Sequence, residues 1–171
     1  TDAEIISLAD TALKRLGITE VKVHINSIGC PNCRPKYYDM LKGYLNQHKD
    51  CLCEDCLNRL DRNPMRILDC KQESCKKVAA DAPIALDYLC DDCREHFEKV
   101  KTYLDDMGIA YEIDTNIVRG LDYYTKTVFE FVSTNIGAQG TICGGGRYDG
   151  LISQLGGQAT PGMGFGCGLE R

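Results

Sequence analysis

The sequence predicts an α+β fold, an antiparallel sheet interrupted by a mostly helical, cysteine-rich insertion. Three observations carry this reading. Residues 1–29 pass from helical to strand periodicity. Residues 30–110 are charged, and nine of the eleven cysteines lie between Cys30 and Cys93. Residues 111–171 read as β-branched and aromatic strands joined by glycine-rich turns. Segments 1–29 and 111–171 form one domain, and 30–110 the insertion.

In the first segment Thr1 and Glu4 have capping-box spacing. Ile5, Leu8, Ala9, Ala12, Leu13 and Leu16 recur at helical intervals, and Gly17 suits the residue after the helix. Val21, Val23 and Ile25 then alternate with Lys22 and His24, predicting a half-buried strand with His24 on its solvated face. In the insertion, Pro35 to Leu45 predicts a short helix, Asp81 before Pro83 predicts a helix entry, and Phe97, Val100, Leu104 and Met107 predict an amphipathic helix closed by Gly108. His48 and His96 fall on charged surfaces expected to be exposed. Tyr111–Ile113 and Thr127–Val132 predict strands. Gly144–Gly146 and Gly156–Gly157 predict turns, and the alternation of glycine with Met163, Phe165, Cys167 and Leu169 predicts a closely approached strand leading into a helix. Leu-Glu-Arg at 169–171 reads as the start of that helix, so the chain is expected to continue.

No stretch approaches the ~20 apolar residues of a membrane span, and the first residues lack signal-peptide character; the chain is expected to be cytoplasmic. The net charge of −5 argues against coating nucleic acid by bulk charge. Within 30–110, 13 Lys and Arg face 15 Asp and Glu, so any contact there with RNA must be local, with Arg34, Lys36, Lys76 and Lys77 as candidates.

Clustered cysteines in a reducing compartment point to metal before disulfides. Cys30 and Cys33, Cys53 and Cys56, Cys70 and Cys75, and Cys90 and Cys93 form four close pairs. Two such pairs complete a tetrahedral, all-thiolate structural zinc site. Spacing leaves open which pairs join and whether there are two sites or one. Cys51 is a spare, and no thioredoxin-like pattern supports a redox role.

Arg119 to Phe131 (RGLDYYTKTVFEF) sets a cation, an acid and two phenols before a strand. Cys143 to Leu151 (CGGGRYDGL) adds three glycines, which let a ligand or a backbone come close. One reading is glycine turns with surface charge; the other is a pocket for a small polar ligand and a phosphate.

These strings, with TICGGGRYDGL and GFGCGLER, resemble the two histidine-specific motifs and the third class II motif of histidyl-tRNA synthetases. HINSIG, NPMRILDCK, DAPIALDYL and HFEKVKTYL are similar to that family's catalytic and insertion regions, so the resemblance covers nearly the whole chain. Counterparts of the family's first two class II motifs and of its anticodon-binding domain are not found, and the piece alone is expected to be inactive.

The resemblance implies a class II catalytic sheet, homodimerisation of the full enzyme, and histidine, ATP with magnesium, and tRNA(His) as substrates. It implies that Arg119 approaches the α-phosphate and the histidine carboxylate, that Tyr124 and Tyr148 shape the imidazole pocket over a floor of Gly144, Gly145 and Gly146, and that Arg171 meets the γ-phosphate. Tyr123 is expected to pack. Asp122 and Asp149 are expected to orient neighbouring arginines, although Asp149 equally suits a helix cap. Two rivals are a non-catalytic synthetase-like regulatory subunit of histidine biosynthesis and a module that binds the tRNA acceptor arm.

Overall fold

The structure, a computed structural model, describes residues 1–119, 122–133 and 140–169. Among these, β1 (Val21–Ser27), β2 (Tyr111–Ile113), β3 (Thr125–Ser133), β4 (Thr141–Arg147) and β5 (Met163–Cys167) form one sheet in the order β2-β1-β3-β4-β5. The pairings are antiparallel except at β1–β2, which is parallel. The parallel edge departs from the expected antiparallel sheet. It arises because the chain leaves β1 and returns to β2 only after the insertion, a connection long enough for a crossover.

Register decides which side chains share a face, because successive residues of a strand point to opposite sides. Ile25, Phe129, Gly145 and Phe165 lie in one row, and His24, Glu130, Gly144 and Gly166 in the next. The first row faces helices α1 (Asp2–Arg15) and α5 (Asp91–Asp106). Ala3, Ile6, Ala9 and Leu13 of α1, Phe97, Val100 and Leu104 of α5, and Ile25, Phe129 and Phe131 make one buried cluster there. We call this the closed face.

The opposite, open face meets the insertion. Tyr37, Leu41 and Leu45 of α2 (Arg34–Gln47), Cys56 of α3 (Glu54–Arg59) and Val78 of α4 (Glu73–Ala80) gather with Ile117, Val118, Tyr124 and Val128. The stretch between the two cysteine-rich ends of the insertion therefore covers the open face, while the apolar residues of α5 join the closed face.

Several local expectations need correction. The buried stripe of α1 is rotated from the expected one: Leu8 and Leu16 are 57% and 75% exposed. Small Ala3 and Ala9 let the helix lie close to the sheet, and Asp2 turns inward with them. Of the Thr1–Glu4 capping box only one half forms: the Thr1 side chain makes no cap bond, while the Glu4 carboxylate accepts from the Thr1 ammonium at 3.0 Å. Gly17, at φ +80°, closes the helix as expected, with its N–H on the Lys14 carbonyl and that of Ile18 on Leu13. Asp81 ends α4 and does not begin a helix. Pro83 disfavours helical geometry in the residue before it, and only a 3-10 turn at Ala85–Tyr88 follows. Gly144–Gly146 are not a turn; they are the middle of β4.

His96 is partly buried, not exposed, and explains the turning of α1. Its Nε2 lies 2.8 Å from Asp2 Oδ2 and 3.2 Å from Thr127 Oγ1. The Arg147 guanidinium also donates to Asp2, through Nε at 3.1 Å and through Nη2. Burial raises the Asp2 pKa, but bonds from His96, Arg147 and Thr127 outweigh it and hold the carboxyl well below the usual range. The Asp2 side chain is 3% exposed, so breaking this group leaves buried charge without a partner. His24 is likewise not freely solvated; its Nδ1 is 3.3 Å from Asp114.

Asp2→Ala is expected to destabilise the fold by ~3 kcal/mol in urea unfolding. Because the folded pKa is depressed, the stabilisation is present above the unfolded value of ~3.9 and is lost as pH falls below it. The wild type should therefore lose stability more steeply than the variant as pH drops below about 4. Parallel pH profiles would remove Asp2 from this role.

Candidate functional site

The site begins with strand alternation. On the open face β4 presents Gly144 and Gly146, and their β5 partners are Gly166 and Gly164. The intervening Cys143, Gly145, Arg147, Met163, Phe165 and Cys167 belong to the closed face. Two neighbouring strands thus expose bare backbone on one side only. Substitution would fill this space in residue-specific ways. A Cβ on Gly144 would lie 2.6 Å from Arg119 Nη1, and one on Gly146 2.8 Å from a Tyr124 ring carbon. A Cβ on Gly145 would lie 2.1 Å from the Gly164 carbonyl oxygen, so that glycine is required by the strand pairing itself. A Cβ on Gly166 meets nothing within 4 Å.

Arg119 stands at one end of the bare surface. Its Nη1 donates to Glu130 Oε1 at 2.5 Å, and the other oxygen of Glu130 accepts from Thr141 Oγ1 at 2.7 Å. The Arg119 Nε is buried and has no partner among the described residues. The guanidinium is therefore fixed by Glu130 on one side, and it also meets the Tyr124 phenol. It lines two hollows. One, of about 380 Å³, runs over Thr141, Gly144, Gly166 and Gly168. The other, of about 530 Å³, lies between the sheet and the insertion and includes Arg66, Cys70, Lys71 and Asp114.

Tyr124 and Tyr148 form the other end. Tyr124 is buried, and burial together with Tyr123 raises its pKa, with Arg119 opposing the shift. The phenol thus stays protonated at neutral pH and can donate. Tyr123 packs between the two, with ring centroids 4.7 Å from Tyr124 and 6.2 Å from Tyr148. The Tyr148 ring crosses Gly162, where a Cβ would clash with it at 2.2 Å. Asp149 accepts from Arg147 Nη1 at 2.8 Å, so it orients an arginine, although one on the closed face. Asp122 instead accepts a very short bond from Asn63. Arg171 lies outside the described residues.

Sequence reading missed Glu130, Thr141, Gly164 and Gly166. The signal for Glu130 was an acid between Phe129 and Phe131 in an otherwise apolar strand. The signal for the glycines was their period of two from Gly162 to Gly168, which is the spacing of one strand face.

The eight paired cysteines fall into two groups, Cys30, Cys33, Cys90 and Cys93, and Cys53, Cys56, Cys70 and Cys75. Within each group all four sulfurs lie within 4.8 Å of one another. Zn–S bonds of ~2.3 Å in a tetrahedron place sulfurs ~3.8 Å apart. The separations are 3.7 Å for Cys30–Cys33, 3.8 Å for Cys30–Cys90, 3.9 Å for Cys33–Cys93 and 3.8 Å for Cys53–Cys70. A disulfide would need ~2.05 Å. The backbone N–H groups of Cys30 and Cys53 each point at a sulfur of their own group, Cys33 and Cys75, at 3.2 Å. Burial opposes ionisation of Cys30, but N–H groups of Cys33 and Asn32 bring it down to about 7. In contrast, burial and the neighbouring thiols push Cys93 and Cys56 far up. Four thiolates at this spacing need a cation. Both groups can hold one metal ion each.

The sheet, covered by helices on one face and bare of side chains over β4 and β5 on the other, has the class II synthetase architecture. It is similar to apo histidyl-tRNA synthetase from S. aureus, with a TM-score of 0.75 and 38% identity over 99% of this chain and 41% of that one. The sequence model described as "Histidyl-tRNA synthetase" matches residues 1–171, and the chain belongs to that family. It is 60% identical over 170 residues to the histidine--tRNA ligase of Caldanaerobacter subterraneus subsp. tengcongensis and 61% identical to that of Acetivibrio thermocellus. In both cases 99% of this chain is matched, and the chain spans 41% of the relative's length.

Two substitutions test the bare face in the full-length enzyme. Gly166→Ala should keep thermal stability within ~1 kcal/mol, because its Cβ enters open space, yet weaken substrate binding. Gly144→Ala should displace Arg119 and lower activity more than stability. Normal substrate affinity in Gly166→Ala would show that the surface is not a ligand floor.

Proposed function

We propose that this chain supplies the histidine pocket and the α-phosphate arginine of a histidine--tRNA ligase. The whole enzyme would activate histidine with ATP to histidyl-adenylate and then transfer it to tRNA(His). The observation that carries the reading is the glycine surface of β4 and β5, walled by the Glu130-held Arg119 at one end and by Tyr124 and Tyr148 at the other. The match of residues 1–171 to the histidyl-tRNA synthetase family supports it.

In the first reaction a carboxylate oxygen of histidine attacks the α-phosphorus in line, and the bond to pyrophosphate breaks. The protein's task is positioning and charge. Arg119, preset by Glu130, meets the α-phosphate and the carboxylate through its remaining donors. Tyr124 and Tyr148 hydrogen-bond the imidazole, which rejects apolar analogues strongly. Gly144 and Gly146 let the substrate lie against the strand, whereas Gly145, on the opposite face, is needed for the pairing with β5 and is withdrawn from the pocket floor. Arg171 would meet the γ-phosphate, and magnesium, when bound with ATP, neutralises the phosphates. The hollow between sheet and insertion opens on Arg119 and gives the tRNA end a route to it. Arg34 is withdrawn from the candidate tRNA contacts because backbone carbonyls occupy its guanidinium, and Lys76 pairs with Glu73.

Each cysteine group is assigned a structural zinc ion, the metal suited to a closed four-thiolate site. The full enzyme is assigned as a cytoplasmic homodimer on the resemblance of its motifs. No helix of the described residues is long and apolar enough to cross a membrane.

Arg119→Ala in the full-length enzyme should lower the adenylation rate ~100-fold or more while changing histidine affinity far less. Pyrophosphate exchange at a near-normal rate would remove its catalytic role. Tyr124→Phe should raise the KM for histidine ~10-fold; an unchanged value would count against the pocket.

A further inference from the structure

The two cysteine groups sit in different places. Cys53, Cys56, Cys70 and Cys75 lie wholly inside the insertion. Cys30, Cys33, Cys90 and Cys93 join its two ends, the turn after β1 and the first turn of α5. This second group is a neck through which the insertion leaves and rejoins the sheet.

The neck is tied by short bonds to the segment that carries Tyr124. Arg34, directly after the Cys30–Cys33 turn, donates from Nη2 to the Tyr124 carbonyl at 2.7 Å and to the Gly29 carbonyl at 3.2 Å. Its Nε donates to the Ile28 carbonyl at 3.3 Å. Gly29, at φ +70°, is packed so closely that a Cβ would lie 2.7 Å from Cys33 Sγ. The Gly29 carbonyl accepts from Lys126 N–H at 2.8 Å, and Ile28 N–H donates back to the Lys126 carbonyl at 2.9 Å. Lys126 is held at φ +53°, a conformation that a non-glycine residue adopts only where its surroundings impose it. The β3–β4 register slips at the same point, between Thr125 and Val128. Tyr124 thus takes its place from a strained segment whose anchor is the cysteine turn.

We propose that the metal ion held by Cys30, Cys33, Cys90 and Cys93 is a positioning ion for histidine recognition. It acts through Arg34 and Gly29 on Tyr124, and Arg34 is a positioning residue for the pocket. This rests on the reading above that Tyr124 contacts histidine and that the cysteine groups bind zinc. The ion at Cys53, Cys56, Cys70 and Cys75 stabilises the insertion; its cysteines share a buried cluster with Tyr124, but among the described residues no hydrogen bond ties them to the Tyr124 segment as Arg34 does. Binding at the neck releases the thiol protons and fixes both turns at once. Without it the Gly29–Lys126 bonds and the Arg34 bridge lose their fixed end, and a shift of the pocket by about 1 Å costs up to ~100-fold in rate or affinity.

The test uses the full-length enzyme purified without chelator, with zinc measured by elemental analysis and KM determined separately for histidine and ATP. The wild type should carry about two zinc equivalents. Cys90→Ser with Cys93→Ser should carry about one, and its KM for histidine should rise ~10-fold or more, with the KM for ATP changed less than ~2-fold. Arg34→Ala should keep both ions and show the same selective rise, and Arg34→Lys should recover part of it. If the cysteine variant does not fold, the Arg34 series decides. A wild type with under about half an equivalent of zinc overturns both the zinc reading and this inference. Two ions with an unchanged histidine KM in Arg34→Ala overturn the inference and leave zinc intact. An unchanged histidine KM in Tyr124→Phe places the failure in the pocket reading.

Discussion

Two adjacent strands that carry glycine at every open-face position of their pairing set the terms for the rest of this molecule. Side-chain alternation has a period of two, so the same strands that turn Cys143, Arg147, Met163 and Phe165 toward the helices leave Gly144, Gly146, Gly164 and Gly166 on the other side. Bare backbone there lets Arg119 lie across Gly144 and lets Tyr148 cross Gly162. Glycine is a poor strand residue, so the arrangement has to be stabilised from elsewhere.

The closed face provides that support. Phe129 and Phe131 are fully buried and packed edge to face at 6.0 Å, and α1 and α5 cover them. Asp2, His96, Arg147 and Thr127 form a polar knot within this otherwise apolar layer, joining α1, α5, β3 and β4. The knot makes the orientation of α1 specific: an apolar stripe alone allows several rotations, whereas a buried carboxylate allows one. Leu8 and Leu16 are exposed as a consequence. The glycine-bearing face and the stabilising face are therefore separate, and the proposed ligand surface rests on a dense core behind it.

The insertion completes the open face from the side of β1. Its cysteine groups substitute for apolar core in a segment where charge is high. The group of Cys53, Cys56, Cys70 and Cys75 borders the hollow at Arg119 through Cys70, while the group of Cys30, Cys33, Cys90 and Cys93 connects to the Tyr124 carbonyl through Arg34.

Much of this was legible in the residues. Alternation in Val21–Ile25, the β-branched and aromatic run at Thr127–Val132, the helical spacing of Phe97, Val100 and Leu104, and Gly17 and Gly108 as helix stops are local patterns fixed by backbone geometry, and each element formed. The RGLDYY and GGRYDGL strings marked Arg119, Tyr124 and Tyr148 as candidate ligand side chains through their resemblance to family motifs, although Tyr124 is also part of the buried cluster. Other features were not legible. Gly144–Gly146 read as a turn because glycine in isolation signals chain reversal; only pairing with β3 and β5 makes it a strand. His96 read as exposed because its partners, Asp2 and Thr127, are 94 and 31 residues away. Cysteine spacing alone set out four close pairs of candidate ligands, three with a two-residue gap and Cys70 and Cys75 with four. The tertiary structure alone decided that the pairs join as first with last and second with third, because that choice depends on where a 60-residue excursion brings the chain back, and no local pattern encodes it.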